Sequence, residues 1–161
     1  PILYNTIQLY LTKRYAHMTE SHKVALEKGY IPGYKLVRGA YMEKERKRAE
    51  KMGYESPVQV NKQATDNAYN GALKYCVEHI ETLAICAGSH NEDSCMLLAS
   101  LMHNAGLPYN HKHIYFSQLL GMSDHISFNL SAAGYNVAKY VPFGPVKSVL
   151  PYLIQIGRAH V

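Results

Sequence analysis

The segment at residues 35–41, KLVRGAY, runs directly into the charged stretch MEKERKRAEK at 42–51. Its first half alternates with the period of a β-strand, whereas the stretch after it is typical of an exposed helix. Alternation places Lys35 and Val37 on one face of the strand and Leu36 and Arg38 on the other. A lysine on an inward face is costly without a partner, so the residues alone slightly favour an ion pair within the sheet.

Short apolar strands alternate with longer helical segments along the rest of the chain. We predict strands over 2–10, 35–40, 82–87, 113–119 and 137–141. We predict helices over 18–28, 42–52, 62–81, 96–105 and 124–133, Asn91 as a helix N-cap, and a last helix from Pro145. This alternation favours a parallel sheet with helical crossovers, either part of a (β/α) barrel or an open doubly wound sheet. No GxGxxG motif follows any strand, which makes the open doubly wound sheet the less favoured of the two folds.

Composition excludes several function classes. The 161 residues fit one domain, and no run of about 18 apolar residues predicts a membrane-spanning helix. The net charge of +5 comes largely from 44–51, where interleaved glutamates are more typical of a solvated helix face than of a nucleic-acid site. Three cysteines without CxxC spacing predict neither a zinc site nor a disulfide framework. Position 1 is proline within a strand-like segment, so we expect the chain to begin inside a fold.

The predicted strand ends carry glycine or alanine beside polar and aromatic residues: RGAY, AGSHNED, FSQLLGM and KYVPFG. In a (β/α) barrel, functional groups gather at these ends. Together with NTIQLYL and VLPYL, these segments resemble, over about 2–154, the catalytic domain of the mitochondrial proline dehydrogenase family. That family is a distorted (β/α)₈ barrel that binds FAD. The resemblance implies an α/β fold, with residues 1–154 forming about strands 4 to 8 of a TIM-type barrel and their helices.

The resemblance also implies roles for individual residues. Lys35 takes the position of a cation beside the reacting edge of the flavin, and Tyr41 closes over the substrate side. Gly39 and Ala40 leave room for the flavin ring. The residues that match cofactor-binding positions are Gln8, Lys35, Val37, Arg38, Gly39, Ala40, Ser89 and His90. Those that match the walls around the proline ring are Leu119, Tyr140 and Tyr152. The residues to which the resemblance assigns a catalytic role are Lys35, Tyr41 and Tyr140.

The implied reaction is FAD-dependent oxidation of L-proline to Δ1-pyrroline-5-carboxylate, with electrons passed to a membrane quinone. It implies a protein on the matrix side of the mitochondrial inner membrane, with no metal and no nucleic-acid partner. The hydroxyproline dehydrogenases of the same family are the alternative. They tend to carry Ser at the position of Tyr140, whose ring would crowd a 4-hydroxyl group, so Tyr140 favours proline.

The end of the chain departs from the family pattern. After VLPYLI the family continues with an Arg-Arg pair that grips the substrate carboxylate, whereas this chain reads QIGRAHV at 155–161. We expect 155–161 to be a non-native, adapter-derived tail, and the 161-residue chain alone to be inactive. Two further alternatives stay open: a truncated, non-catalytic interaction module, and a barrel enzyme that uses Lys35 for Schiff-base chemistry.

Overall fold

Five parallel strands form one sheet whose spatial order is the order of the chain. The computed structural model describes residues 3–147, 149–150 and 154. Its strands are β1 (Tyr4–Gln8), β2 (Gly33–Val37), β3 (Ala84–Gly88), β4 (Ile114–Leu119) and β5 (Val137–Tyr140). The predicted α/β fold with a parallel sheet is confirmed. The arrangement is consistent with a partial TIM-type barrel.

Helices connect each strand to the next. They are α1 (Arg14–Glu27), α2 (Met42–Met52), α3 (Lys62–Glu78), α4 (Glu92–Asn104) and α5 (Asp124–Ala132), and both α2 and α3 lie between β2 and β3. Asn91 caps α4 as predicted, since its side chain accepts a hydrogen bond from the Ser94 N–H. Helix α1 begins earlier than the predicted 18, because its exposed first turn carries no apolar periodicity. Tyr152 and residues 155–161 lie outside the described residues.

The hydrophobic core lies between the sheet and its helices. Strand alternation directs one set of side chains toward α1, α3 and α4, and these are almost fully buried: Ile7, Tyr34, Leu36, Ile85, Ala87, Ile114 and Phe116. Burial of this face anchors the register of the sheet, because a slip by one residue would expose every one of these side chains.

The opposite face of the sheet is polar and less buried. We call it the open face; it carries Gln8, Lys35, Val37, Cys86, Gly88, Ser117, Leu119 and Tyr140. Gly88 is needed on this face, because a Cβ there would lie 2.9 Å from Val37 Cγ1 and 3.1 Å from the Leu36 carbonyl oxygen. The open face is therefore the part of the sheet available for a ligand.

Gly39, two residues after the end of β2, has a backbone conformation that only glycine adopts readily. Its φ is +116°, and a Cβ at this position would lie 1.9 Å from Cδ1 of the buried Tyr10 ring. The family resemblance implies that this glycine leaves room for a flavin ring. The structure adds a second reason, which is the close packing of Tyr10.

No helix within the described part of the chain is both long and apolar enough to cross a membrane.

Candidate active site

Lys35 and Tyr140 meet on the open face. The Lys35 Nζ lies 4.0 Å from the centroid of the Tyr140 ring, although β3 and β4 separate their strands. Strands three places apart in a flat sheet are about 14 Å apart, and side chains that stand perpendicular to it could not meet. The sheet therefore curves toward the open face, as a barrel wall does.

The ion pair that the residues alone slightly favoured for Lys35 is wrong. Among the described residues no carboxylate lies within 4.0 Å of its Nζ. The cation is stabilised instead by the Tyr140 ring, a contact that contributes about 0.5–2 kcal/mol. Burial raises the pKa of the neighbouring Cys86 thiol, while the charge of Lys35 opposes that rise. The open face therefore carries a positive charge that no described acidic group neutralises.

Two of the three predicted substrate-wall residues lie side by side. Leu119 and Tyr140 are register partners on β4 and β5. Leu119 is buried, whereas 42% of Tyr140 remains exposed. Tyr152 lies outside the described residues, so its position in the site stays a prediction.

Arg38 points away from the open face and ties three elements together. Its Nε donates to Asp66 Oδ1 at 2.6 Å, and its two terminal nitrogens donate to Ser89 Oγ at 2.9 Å and Ser94 Oγ at 2.8 Å. The guanidinium also lies over the buried Tyr69 ring, 4.4 Å from its centroid. Every guanidinium nitrogen thus contacts the protein. A contact between Arg38 and a cofactor stays a prediction.

Asp66 is ionised by its neighbours despite partial burial. Burial alone would raise the pKa of this carboxyl, but hydrogen bonds from Arg38 and Lys62 outweigh burial and lower the pKa below its ordinary value. Sequence reasoning missed Asp66 because its partner Arg38 is 28 residues away, on a different element. The one signal in the sequence was a general rule: a charge on the buried side of a strand, such as Arg38, needs a partner of opposite charge.

Ser89 and His90 connect the end of β3 to its surroundings. Ser89 Oγ accepts hydrogen bonds from Arg38 and from the Asn91 N–H. His90 Nδ1 lies 2.9 Å from Ser123 Oγ, so the histidine links the β3–α4 loop to the start of α5. Ser123 has a φ of +51°, which favours glycine, and its hydroxyl does not cap its own helix. The hydrogen bond with His90 and the hydrogen bonds that the Ser123 carbonyl accepts from the Ile126 and Ser127 N–H groups hold this backbone in place.

The remaining predicted site residues lie at the carboxyl ends of β1 and β2. The Gln8 side chain is half-buried on the open face, next to Val37 in the sheet register, and hydrogen-bonds to none of the described residues. Ala40 and Tyr41 follow β2, and Tyr41 is the N-cap residue of α2. The structure thus gathers Gln8, Lys35 and Val37 on one face.

Comparison with known proteins gives consistent matches. The family model described as "Proline dehydrogenase" matches residues 1–155. The chain is 45% identical over 157 residues to "Proline dehydrogenase 1, mitochondrial" of Homo sapiens, covering 95% of this chain and 26% of that protein. It is 39% identical over 159 residues to "Hydroxyproline dehydrogenase" of Xenopus laevis, covering 96% of this chain and 34% of that protein. The chain therefore spans about a quarter to a third of these relatives.

A solved structure shares the fold. Proline utilization A from Bdellovibrio bacteriovorus, inactivated by N-propargylglycine, superposes with a TM-score of 0.87 at 27% sequence identity. The match covers 93% of this chain and 15% of that one.

Proposed function

Because the chain belongs to the proline dehydrogenase family, we propose that it is part of an enzyme that oxidises L-proline to Δ1-pyrroline-5-carboxylate. The activity belongs to a full-length protein, since the chain spans 26% of its human relative. The observation that carries this proposal is the Lys35 cation on the curved open face, which faces Tyr140 and no described carboxylate. We propose that residues 1–154 are the C-terminal half of the barrel.

The groups on the open face fit FAD. A flavin takes a hydride and, once reduced, carries negative charge that a nearby cation stabilises. Lys35 has the required charge, and the Gln8 amide makes no hydrogen bond to a described residue. We propose that Gln8, Lys35 and Val37 hold the cofactor, with Gly39, Ala40, Ser89 and His90 beside it and Arg38 fixing the β3–α4 loop.

The substrate would lie against Leu119 and Tyr140. Leu119 supplies an apolar wall, and Tyr140 presents a ring that Lys35 already holds in place. We propose that Tyr41 covers the substrate from the end of β2 and that Tyr152 completes the wall. These residues orient the proline ring and exclude water, and none needs to act as a nucleophile.

We also propose the setting of the reaction. Relatives named as mitochondrial, such as the one from Homo sapiens, support a mitochondrial location. The inner membrane and a quinone acceptor belong to the same proposal. That residues 155–161 are a non-native tail in place of the family's arginine pair stays a prediction. Sequencing the transcript across the codons after Ile154 would test it, because two arginine codons there would support it.

The test is anaerobic reduction of the bound flavin. The full open reading frame that includes these residues should be purified with its flavin and mixed with L-proline, and the flavin absorbance should bleach. We expect slower bleaching with trans-4-hydroxyproline, because the Tyr140 ring crowds the 4-hydroxyl group. Since the solved relative is inactivated by N-propargylglycine, this compound should also inactivate the enzyme. A flavoprotein that proline leaves oxidised would refute the proposal.

Hydroxyproline oxidation is the second candidate, favoured by the 39% identity to the Xenopus laevis relative. Faster bleaching by trans-4-hydroxyproline than by proline would establish it. Equal rates with the two substrates would show that Tyr140 does not select between them.

A further inference from the structure

A buried amide interrupts the apolar side of β4. Strand alternation directs Ile114, Phe116 and Gln118 toward the helices, and Gln118 is only 1% exposed. An amide in such a position is unfavourable unless its nitrogen and its oxygen both find hydrogen-bond partners. An apolar side chain would fill the same space without that requirement, so the partners of Gln118 indicate what this residue does.

Both ends of the Gln118 amide are hydrogen-bonded. Its Nε2 donates to the Ser89 carbonyl oxygen at 3.0 Å, and its Oε1 accepts from the Ser127 hydroxyl at 2.9 Å. A carbonyl oxygen can only accept, so the nitrogen must be the end that faces Ser89. Ser127 lies on α5 and is itself buried. Gln118 therefore joins β4 to α5 and to the segment that follows β3.

The Ser89 carbonyl belongs to the peptide group that joins Ser89 to His90. A trans peptide group is planar, with its C=O and N–H on opposite sides. A hydrogen bond that fixes the carbonyl therefore also fixes the direction of the His90 N–H, which points away from Gln118 and the core. Among the residues that the structure describes, Gln118 supplies the hydrogen bond that this carbonyl accepts.

The other hydrogen bonds of Ser89 act on different groups. Its N–H donates to the Ser117 carbonyl at 3.1 Å and so fixes the preceding peptide group. Its hydroxyl accepts from Arg38 at 2.9 Å and from the Asn91 N–H at 3.0 Å, which holds the side chain. Gln118 supplies the bond that acts directly on the peptide group that follows, and this group carries His90.

We propose that Gln118 is a positioning residue for the cofactor-binding segment at Ser89 and His90. Without the amide, the Ser89 carbonyl would lose its donor in a buried setting, and its peptide group would turn to find another. That rotation would displace the His90 backbone. The inference rests on the proposed function, because it takes FAD as the ligand that Ser89 and His90 adjoin.

The test measures FAD binding and backbone amide exchange in the full open reading frame protein with Gln118→Met. Methionine fills the space flexibly but offers no donor, so the Ser89 carbonyl is left unpaired. We expect the dissociation constant for FAD, measured from the loss of flavin on dilution, to rise at least about tenfold. Hydrogen exchange of the amides across 88–94 should also become at least about tenfold faster.

Two control variants separate positioning from packing. I114V removes a methyl group from the same side of the same strand; it should lower the resistance to urea but change the FAD dissociation constant by less than about twofold. S127A removes the hydrogen bond to Gln118 Oε1 but leaves the donor to Ser89, so its effect on FAD should stay below about threefold. Q118M/S127A should match Q118M, because both changes act through one chain of hydrogen bonds.

If Q118M does not fold, Q118N replaces it in the comparison. The asparagine amide is one methylene too short to reach the Ser89 carbonyl, so FAD binding should weaken in the same direction.

A folded Q118M protein that holds FAD as tightly as the wild type would overturn the proposal, and so would an equal weakening of FAD binding in I114V. Failure of the proposed function would look different, because a wild-type protein purified without flavin would refute that function. Amide exchange across 88–94 would then still decide the role of Gln118, since exchange that Q118M leaves unchanged would overturn it.

Discussion

At the scale of single residues, Lys35 holds a charge that the protein does not neutralise with a described acid. Its Nζ contacts the Tyr140 ring at 4.0 Å, so the charge remains available to a ligand on the open face. An ion pair would have cancelled much of that field, whereas a ring contact leaves it in place. This property makes Lys35 the residue whose replacement best tests the site.

We predict that Lys35→Met slows proline-dependent reduction of the bound flavin by at least about tenfold, a change of about 1.4 kcal/mol in the barrier. Removing the cation leaves negative charge on the reduced cofactor uncompensated. The flavin reduction potential should also fall. Lys35→Arg is the control, because it keeps the charge and the ring contact, and it should retain most of the rate. Unchanged rate and potential in Lys35→Met would contradict this role.

Gly39 gives a second prediction at this scale. Gly39→Ala should lower the free energy of unfolding by at least about 2–3 kcal/mol, since it combines a strained φ with a clash against Tyr10. Gly106→Ala is the control: its φ is +65°, but no atom lies within 4 Å of the added Cβ. It should cost about 1 kcal/mol. Chemical denaturation of the two variants measures the difference. Equal decreases in the free energy of unfolding would show that the Tyr10 ring moves aside without destabilising the fold.

At the scale of elements, a buried histidine joins α1 to α3 and to the segment before β3. Thr82 Oγ1 donates to the His79 carbonyl at 3.0 Å, so it accepts from His22 Nε2 at 3.0 Å. His22 Nδ1 must then accept from the Tyr75 hydroxyl at 2.9 Å. This network requires neutral His22. Burial lowers the pKa of His22 below its ordinary value, and the nearby His79 lowers it further.

We predict that His22 makes the fold sensitive to acid. The pKa of His22 is lower in the folded than in the unfolded chain. Its contribution to the free energy of unfolding is therefore fully present above pH 6.5 and is lost as the pH falls through the lowered pKa. Unfolding by urea at a series of pH values measures this. His22→Gln should flatten the decline, whereas the exposed His17 on the same helix, replaced by glutamine, should leave it unchanged. A decline of equal slope in all three proteins would exclude His22 as its source.

The elements themselves could be predicted from local patterns. All five strands were indicated by apolar runs, and Asn91 was identified as a cap because capping depends on neighbouring residues. The contacts of Lys35 and Arg38 could not be predicted. Both depend on which residues the curvature of the sheet and the helix packing bring together over distances of 28 or more residues. Local sequence carries no record of such partners.

At the scale of the whole molecule, the described chain leaves apolar surface uncovered. The residues after β5 include Val141, Phe143, Val146, Leu150 and Ile154, each more than half exposed, with Phe143 at 101%. Within the described sheet β1 and β5 each pair on one side only. Both features favour association between copies or with further chain.

We predict that the 161-residue chain, expressed alone, aggregates and retains no FAD. The full open reading frame should remain soluble and yellow, since additional chain would cover these surfaces. Size-exclusion chromatography with flavin absorbance distinguishes the two proteins. A soluble monomer of the short chain with a flavin band would refute the prediction.

The strand order also determines how the protein can be assembled during synthesis. Each of β2 to β5 pairs with the strand that precedes it in the chain, and the described pairing of β1 is with β2. When β2, β3, β4 or β5 emerges from the ribosome, its partner has therefore already been made. Growth of the sheet is vectorial. Pairings between elements close in sequence also form faster than distant ones, because less loop entropy is lost. Translation that stops early would leave a shorter sheet whose existing pairings are intact.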